Sequence, residues 1–198
     1  MPLHITLQNG QDSSAQLLIE WGDNLSVTNK DGMTPLHIAL RNGHEASAQL
    51  LIERGTNLSD AVMERMTPLH LTVQYGHKAS VQLLIERGDD LSAIDWVNLT
   101  PLHLALQYGH EASAQLLMEW GADLSVTDWM GMTPLHIAVQ YGRQASTQLL
   151  LQRGAELLAL NCDGMTPLHI ALRKGNEPTA QLLIEHGADL SAAEQASQ

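Results

Sequence analysis

The stretch from Thr100 to Leu117, TPLHLALQYGHEASAQLL, decides the fold. Thr100 followed by Pro101 is typical of a helix start, because the hydroxyl can cap the first backbone amides and proline has no amide to leave unpaired. The apolar run that follows stops at Gly109, a residue type that ends helices in the left-handed conformation. A second apolar segment begins directly afterwards. The stretch therefore predicts two short helices joined by a tight turn.

The same pattern recurs every 33 residues along the chain. The TPLH motif begins at Thr34, Thr67, Thr100, Thr133 and Thr166, and MPLH at Met1 is the same motif with Met for Thr. Helices this short are not stable alone, so neighbouring units must supply the missing packing. The sequence therefore predicts a single domain, residues 1–198, built from six repeats: 1–33, 34–66, 67–99, 100–132, 133–165 and 166–198.

This unit resembles the ankyrin repeat in its length, its TPLH motif and its LLxxxGAD ending. The resemblance is closest in GMTPLHIAVQYGR, residues 131–143, and in AQLLMEWGADLS, residues 114–125, and it covers essentially the whole chain. It implies an all-α repeat solenoid, in which helix–turn–helix units form a curved stack and β-hairpin loops project from it. It also implies that other proteins bind on the concave side.

Composition narrows the classes of partner. The net charge is −12 and the isoelectric point is about 5.1, which disfavours binding to nucleic acid or to an anionic membrane surface. The N-terminal sequence lacks the basic and apolar regions of a signal peptide, and no segment has the ~20 apolar residues of a membrane span. The single cysteine, Cys162, fits a reducing compartment. We expect an intracellular protein, cytoplasmic or nuclear.

A histidine follows each Pro-Leu pair, and two interpretations of it differ in chemistry. In ankyrin-like repeats this imidazole bridges the threonine hydroxyl and nearby backbone groups. A metal ladder is the alternative, but stacked helices lie ~8–10 Å apart while zinc–nitrogen bonds measure ~2.0–2.1 Å. The sequence therefore indicates a structural role, with no metal and no cofactor. The histidines that open second helices, His44, His77 and His110, are expected to be turn and capping groups.

Two core positions depart from the family pattern in every repeat. The first helix has a larger residue where the family usually has Ala, and the second helix has Ser or Thr where Val or Ile is usual. We expect these changes to compensate in volume, as Leu106 and Ser113 would within the fourth repeat. The positions are Leu7, Leu40, Val73, Leu106, Val139 and Leu172 in first helices, and Ser14, Ser47, Ser80, Ser113, Ser146 and Thr179 in second helices.

The hairpin loops carry a turn glycine in three of the five connections between repeats. Gly32, Gly131 and Gly164 suit a tight turn with positive φ, whereas Arg65 and Asn98 stand in that place in the other two loops. Asn tolerates the left-handed region, but Arg does so poorly. We therefore expect a distorted loop from Asp60 to Arg65.

The positions before the first-helix glycine and at the loop tips should face the concave groove, by resemblance to the family. Aromatic residues cluster at these positions, and such side chains are typical binding anchors. The candidate partner-binding residues are Tyr75, Tyr108, Tyr141, Trp96, Trp129, Gln74, Gln107, Gln140, Arg41, Arg173 and Lys174. The remaining tips carry Lys30, Met63 and Cys162. A column of methionines, including Met33, Met66 and Met132, could add apolar binding surface or pack between loops.

Three functions are consistent with this pattern. The first is a protein–protein interaction module that binds a segment of another protein. The second is a small-molecule or catalytic site in the same groove, with Tyr108, His110, Arg143 and Asp128 as the acid, base and anion-holding groups, although no catalytic motif is present. The third is a spacer without a ligand. The sequence also leaves open whether the chain is a segment of a longer array or a complete protein whose ends associate.

Overall fold

The computed structural model describes residues 2–58 and 65–189. These residues contain twelve α-helices in six pairs, and no strand is assigned among them. In chain order the helices are α1 Pro2–Gln8, α2 Asp12–Glu20, α3 Pro35–Asn42, α4 Glu45–Glu53, α5 Pro68–Tyr75, α6 Lys78–Glu86, α7 Pro101–Tyr108, α8 Glu111–Glu119, α9 Pro134–Gln140, α10 Gln144–Gln152, α11 Pro167–Arg173 and α12 Glu177–Glu185. The expected distortion from Asp60 onward lies outside the described residues except at Arg65, and the tip residue Met63 lies outside them too.

The chain divides into two compact units, Met1–Trp96 and Val97–Gln198. In the first unit, α1, α3 and α5 pack in succession, and α2, α4 and α6 pack beside them. In the second unit, α7, α9 and α11 form one layer and α8, α10 and α12 form the other. The predicted all-helical repeat architecture is therefore confirmed. The prediction of one continuous domain over residues 1–198 stays a prediction.

The Thr-Pro-Leu-His motif starts the first helix through reciprocal hydrogen bonds. The backbone amide of His103 donates to Thr100 Oγ1 (3.4 Å), and the Thr100 amide donates to His103 Nδ1 (3.2 Å). With Nδ1 as an acceptor, Nε2 carries the proton and donates to the backbone oxygen of Met132 in the next loop (3.2 Å). Burial lowers the pKa of His136, which favours the neutral ring that this arrangement needs. The predicted bridging role of the histidine is confirmed.

The exposure of equivalent residues shows which faces of each repeat are covered. The first-helix residue Leu106 is buried, as are its equivalents in earlier repeats, but Leu172 in the sixth repeat is 48% exposed. Ser14 in the first repeat is exposed, whereas Ser146 and its equivalents in the other repeats are buried. The following repeat therefore covers the first-helix residue, and the preceding repeat covers the serine. This exposure pattern favours a volume exchange between consecutive repeats, Leu106 with Ser146, over the exchange within one repeat, Leu106 with Ser113, that the sequence suggested, and both stay predictions.

Three of the loop turns are closed by the side chain of their first residue, which is Asn29, Asp128 or Asn161. Asp128 Oδ1 accepts from the backbone amides of Met130 and Met132 (2.8 Å each), and the Asp128 amide donates to the Met132 oxygen (3.0 Å). Gly131 takes φ 72° within this turn. Asn29 and Asn161 close their loops in the same way. The expected left-handed glycines are confirmed, and Arg65 and Asn98 adopt the same region at φ 60°.

Two histidines that open second helices, His44 and His77, contact the preceding repeat instead of capping their own helix. His44 makes no side-chain capping bond, and its Nδ1 lies 3.2 Å from Asp12 Oδ1. His77 Nε2 lies 3.1 Å from the backbone oxygen of Arg41 and donates to it. The capping role expected for these histidines is therefore wrong. The turn places the His77 ring over the end of α3, where unpaired carbonyls accept hydrogen bonds.

Candidate functional site

A groove of about 420 Å³ in the second unit brings together five of the eleven predicted partner-binding residues. The sides of the groove are lined by Val97, by Leu99 and by residues of the two loops that follow them. Asp128 and Asp163 contribute carboxylates. We call it the aromatic groove, since it contains the exposed rings of both aromatic types predicted as anchors. The predicted residues in its lining are Gln107, Trp129, Gln140, Tyr141 and Arg173.

Trp129 stands on a loop whose backbone is held on two sides. Its own amide donates to the Val97 oxygen (3.1 Å), and the oxygen of Met130 accepts from the amide of Cys162 (2.9 Å). The carboxylate of Asp128 closes the turn from within. The indole itself remains 65% exposed. The structure thus fixes the backbone under Trp129 while the ring faces solvent.

Tyr141 lies directly after α9, whose last residue is Gln140. The Tyr141 amide continues the helical pattern by donating to the Ile137 oxygen (3.0 Å), and the phenol ring is 41% exposed. Ile137 and Met132, both buried, form the floor of the groove beneath it. The groove therefore combines an apolar floor with exposed aromatic and amide side chains at its rim.

Arg143 holds the part of α7 that lines the groove. Its Nε donates to the Leu106 oxygen (3.0 Å), and its Nη2 donates to the Gln107 oxygen (2.9 Å). These carbonyls lie in the last turn of α7, where helical acceptors have no partner within the helix. Sequence reasoning assigned Arg143 only to a catalytic alternative. Its position, which histidine occupies in the three preceding repeats, was the signal for a contact between repeats.

The charged residues of the groove differ in their surroundings. Asp128 is buried, and its Oδ1 is occupied by the loop amides. Arg173, at the end of α11, is exposed and forms no ion pair within residues 2–58 and 65–189. The guanidinium is therefore available to a carboxylate supplied from outside.

Three residues of the methionine column are buried and pack between loops. Met33, Met66 and Met132 are each less than a tenth exposed. Asn161 Nδ2 donates to the Met132 sulfur (3.3 Å), and Arg41 Nη1 donates to the Met33 sulfur (3.3 Å). For these three residues, packing rather than a soft binding surface is confirmed.

The other predicted contact residues do not line the aromatic groove. Tyr108 ends α7, and its ring is stacked near His110 with centroids 6.4 Å apart. Lys174 is exposed just after α11. Four predicted residues belong to the first unit: the exposed Tyr75 and Trp96, and the half-buried Arg41 and Gln74. Trp21 and Trp120, which directly follow α2 and α8, are both exposed.

The catalytic alternative finds no shared centre in this geometry. Of its four described residues, only Asp128 lines the groove, while Arg143 binds backbone carbonyls and Tyr108 stacks near His110. Over the described ranges, no group of three or more His, Cys, Asp or Glu side chains is placed to hold a metal ion. None of the helices described has the length and apolar character that a membrane crossing requires.

Comparison with known proteins matches both the repeat and the fold. The family model described as ankyrin repeats matches the chain three times, at residues 1–62, 54–128 and 125–194. The crystal structure of the ankyrin repeat domain of Bcl-3, described as a unique member of the IkappaB protein family, is similar with a TM-score of 0.87 and 31% sequence identity. The match covers 96% of this chain and 88% of that one. A comparison with curated proteins found no match.

Proposed function

The chain belongs to the ankyrin repeat family, and since ankyrin repeats are generally protein–protein interaction modules, we propose that it binds a segment of another protein in the aromatic groove. The observation that carries the proposal is the pair of exposed rings, Trp129 and Tyr141, in one groove above a buried apolar floor. Aromatic side chains of this kind dominate binding energy at protein interfaces. A fixed backbone beneath Trp129 reduces the entropy that binding must overcome.

The polar residues of the groove suggest the chemistry of the segment. Gln107 and Gln140 offer carboxamides, which can both donate to and accept from the backbone of an extended peptide. Arg173 offers a planar guanidinium that suits a carboxylate. We propose a segment that places an apolar or aromatic side chain between Trp129 and Tyr141 and an acidic residue at Arg173.

The remaining predicted contacts belong to the proposal as secondary positions. Tyr75 and Trp96 are exposed on the first unit, and Tyr108 and Lys174 are exposed on the second. Gln74 and Arg41 are half-buried and offer less surface. A protein partner suits the chain better than nucleic acid, because the net charge of −12 would repel a phosphate backbone. An intracellular location stays a prediction from the sequence.

The test is a peptide-display selection against the chain, followed by affinity measurements on the selected peptides. The double variant Trp129→Ala and Tyr141→Ala should weaken binding by at least about thirtyfold, since the loss of one hot-spot residue alone costs roughly 2 kcal/mol. Trp120→Ala is the matched control, because Trp120 is also exposed but lies outside the groove. Its peptide affinity should match that of the unaltered chain.

Two outcomes would contradict the proposal. Peptides that bind the double variant as tightly as the unaltered chain would place the contact surface elsewhere. Failure to select any peptide would favour the spacer interpretation. Replacing Arg173 with Ala separates the acidic contact from the aromatic one, since it should weaken only those peptides that contain Asp or Glu.

A further inference from the structure

Three polar side chains of the aromatic groove come from the same position of consecutive repeats. Gln107, Gln140 and Arg173 are spaced 33 residues apart, at or next to the last residues of α7, α9 and α11, and all three line the groove. We call them the polar row. The three helices pack side by side in one layer. Because packed helices lie about 8–10 Å apart, a segment that runs along the groove meets the polar row in steps of about that length.

This step matches one turn of a polyproline II helix. That conformation has three residues per turn and rises about 3.1 Å per residue, which gives about 9.3 Å per turn. A β-strand returns a side chain to the same face after about 6.7 Å. An α-helix completes a turn in about 5.4 Å. Of these conformations, polyproline II is the one that presents the same side of its backbone to each member of the polar row after a single turn.

The glutamines of the polar row can donate to the backbone of such a segment. Gln107 and Gln140 are half-buried, and within the described part of the chain neither carboxamide nitrogen donates to another group. A polyproline II segment has no internal hydrogen bonds, so its carbonyls accept from such donors. An α-helical segment already uses its carbonyls internally. Proline fits further because it has no backbone amide that needs an acceptor.

The loop beside the groove does not offer the edge that a bound β-strand requires. The amide of Trp129 donates to the Val97 oxygen (3.1 Å). Those of Met130 and Met132 both donate to the Asp128 carboxylate (2.8 Å each). A strand that docks on a sheet edge bonds to free backbone groups, and these amides are already used. The backbone of a bound segment must therefore be met by side chains, as the polar row allows.

The exposed rings of the groove suit proline as the apolar residue of the segment. Trp129 and Tyr141 are exposed above the buried Met132 and Ile137. Proline-rich segments bind in aromatic-lined grooves of this kind, and their preformed conformation loses little entropy on binding. The aromatic surface and the spacing of the polar row thus favour the same class of ligand.

On the basis of the proposed function of the aromatic groove, we propose that the partner segment is proline-rich and binds as a polyproline II helix. Backbone carbonyls three residues apart accept from the carboxamides of Gln107 and Gln140, and the prolines contact Trp129 and Tyr141. The acidic residue lies one further three-residue step along the segment, because Arg173 holds the next place in the polar row. The segment therefore carries two prolines and an acidic residue at three-residue intervals, in either chain direction.

The experiment measures the affinity of labelled nine-residue peptides by fluorescence anisotropy. One peptide has proline at its second and fifth positions and glutamate at its eighth, and another has the reverse order, with alanine and serine elsewhere. Two matched sets have the same composition but space these three residues by two or by four positions. The better of the three-step peptides should bind at least about tenfold more tightly than every matched peptide, because a wrong step loses a hydrogen bond and the acidic contact.

A change within the polar row tests the hydrogen bond directly. Gln140→Glu keeps the size of the side chain but replaces the amide donor with a carboxylate, which repels a carbonyl. It should weaken the three-step peptide by about tenfold. Gln148→Glu is the matched control, because Gln148 is exposed on α10 outside the groove and the change adds the same charge. Circular dichroism checks that each variant is folded, and Gln107→Glu replaces Gln140→Glu if the latter unfolds.

Three results would overturn the inference. The first is that neither three-step peptide binds, or that both bind no better than the matched peptides. The second is equal affinity of the three-step peptide for the Gln140→Glu and Gln148→Glu variants. The third is a set of display-selected peptides that need Trp129 and Tyr141 but lack prolines at three-residue intervals. That third result leaves the proposed function in place, whereas the proposed function itself fails if no selected peptide depends on the two rings.

Discussion

The guanidinium of Arg143 donates from Nη2 to the backbone oxygen of Gln107 over 2.9 Å, between residues 36 apart in sequence. A second bond from Nε to the Leu106 oxygen (3.0 Å) completes the contact. Gln107 lines the aromatic groove, and Arg143 opens α10 on the neighbouring repeat. The groove therefore depends on a residue that does not line it.

Replacing Arg143 with Ala should lower the free energy of unfolding by about 1.5–3 kcal/mol, because two charge-assisted hydrogen bonds are lost. Arg143→Lys should recover only part of this, since an ammonium cannot serve both carbonyls with a fixed fork. Urea denaturation measures the effect. Arg173→Ala is the control and should change stability by less than about 0.5 kcal/mol, because Arg173 is exposed. Equal effects of the two Ala variants would contradict the anchoring role of Arg143.

A double-mutant cycle tests the volume compensation between consecutive repeats. Ser146→Val should overpack the boundary and destabilise by about 1–3 kcal/mol, and Leu106→Ala should cost about 2–5 kcal/mol. Combined, they should be less destabilising than their sum by about 0.5 kcal/mol or more. Leu106→Ala with Ser113→Val, the pair within one repeat, should show a smaller coupling in the same denaturation experiment. A larger coupling for that second pair would restore the interpretation drawn from the sequence.

Gly131 and Gly164 have nearly the same φ angle but different surroundings. Both take φ near 70°, yet a Cβ at Gly131 would lie 3.1–3.3 Å from the backbone of Asn161 and Cys162, while a Cβ at Gly164 would meet nothing within 4 Å. Gly131→Ala should therefore destabilise more than Gly164→Ala, since strain from positive φ is common to both. It should also weaken peptide binding, because the shifted loop carries Trp129. Thermal unfolding of the two variants measures the difference, and equal melting temperatures would refute the expectation.

Asp89 should make stability depend on pH. The carboxylate is buried, its Oδ1 accepts from the Asp90 amide (2.9 Å), and its Oδ2 has no hydrogen-bond partner within the described residues. Burial raises the pKa of Asp89 from 3.8 to about 7, and the neighbouring charge of Asp90 adds to the increase. The folded state therefore holds this proton more tightly than the unfolded state. The stabilisation is fully present below about pH 4 and is lost as pH rises to about 7.

Replacing Asp89 with Ala should flatten this pH dependence and stabilise the chain at pH 8. Alanine occupies the equivalent buried position in the later repeats, at Ala122 and Ala155, so the site accepts a methyl group. Denaturation across pH 4 to 8 measures both effects. Asp31→Ala is the control for the loss of a carboxyl group at an exposed position. If the Asp89→Ala variant keeps the original slope of stability against pH, the assignment of that pH dependence to Asp89 is wrong.

The sequence predicted the fold well because the decisive interactions are local. Thr100, Pro101 and His103 form a cap within four consecutive positions, and Gly131 sets the turn that follows Asp128. Such bonds join residues a few positions apart, so their pattern is visible in a single repeat. The exposure of the aromatic residues was predicted for the same reason, because equivalent positions in successive repeats lie on the same exposed side.

The tertiary structure decided which residues meet across repeats. The amino-acid sequence by itself determined the 33-residue period, the helix limits and the chemistry of each cap, because these depend on backbone geometry within one unit. The angle and distance between neighbouring helix pairs decide what a single repeat leaves open. They decide whether Leu106 packs toward Ser113 or toward Ser146, and whether the ring of His77 caps its own helix or reaches Arg41. They also decide which of the predicted contact residues share a groove with Trp129. That geometry arises from the packing of many side chains together, so no single repeat contains it.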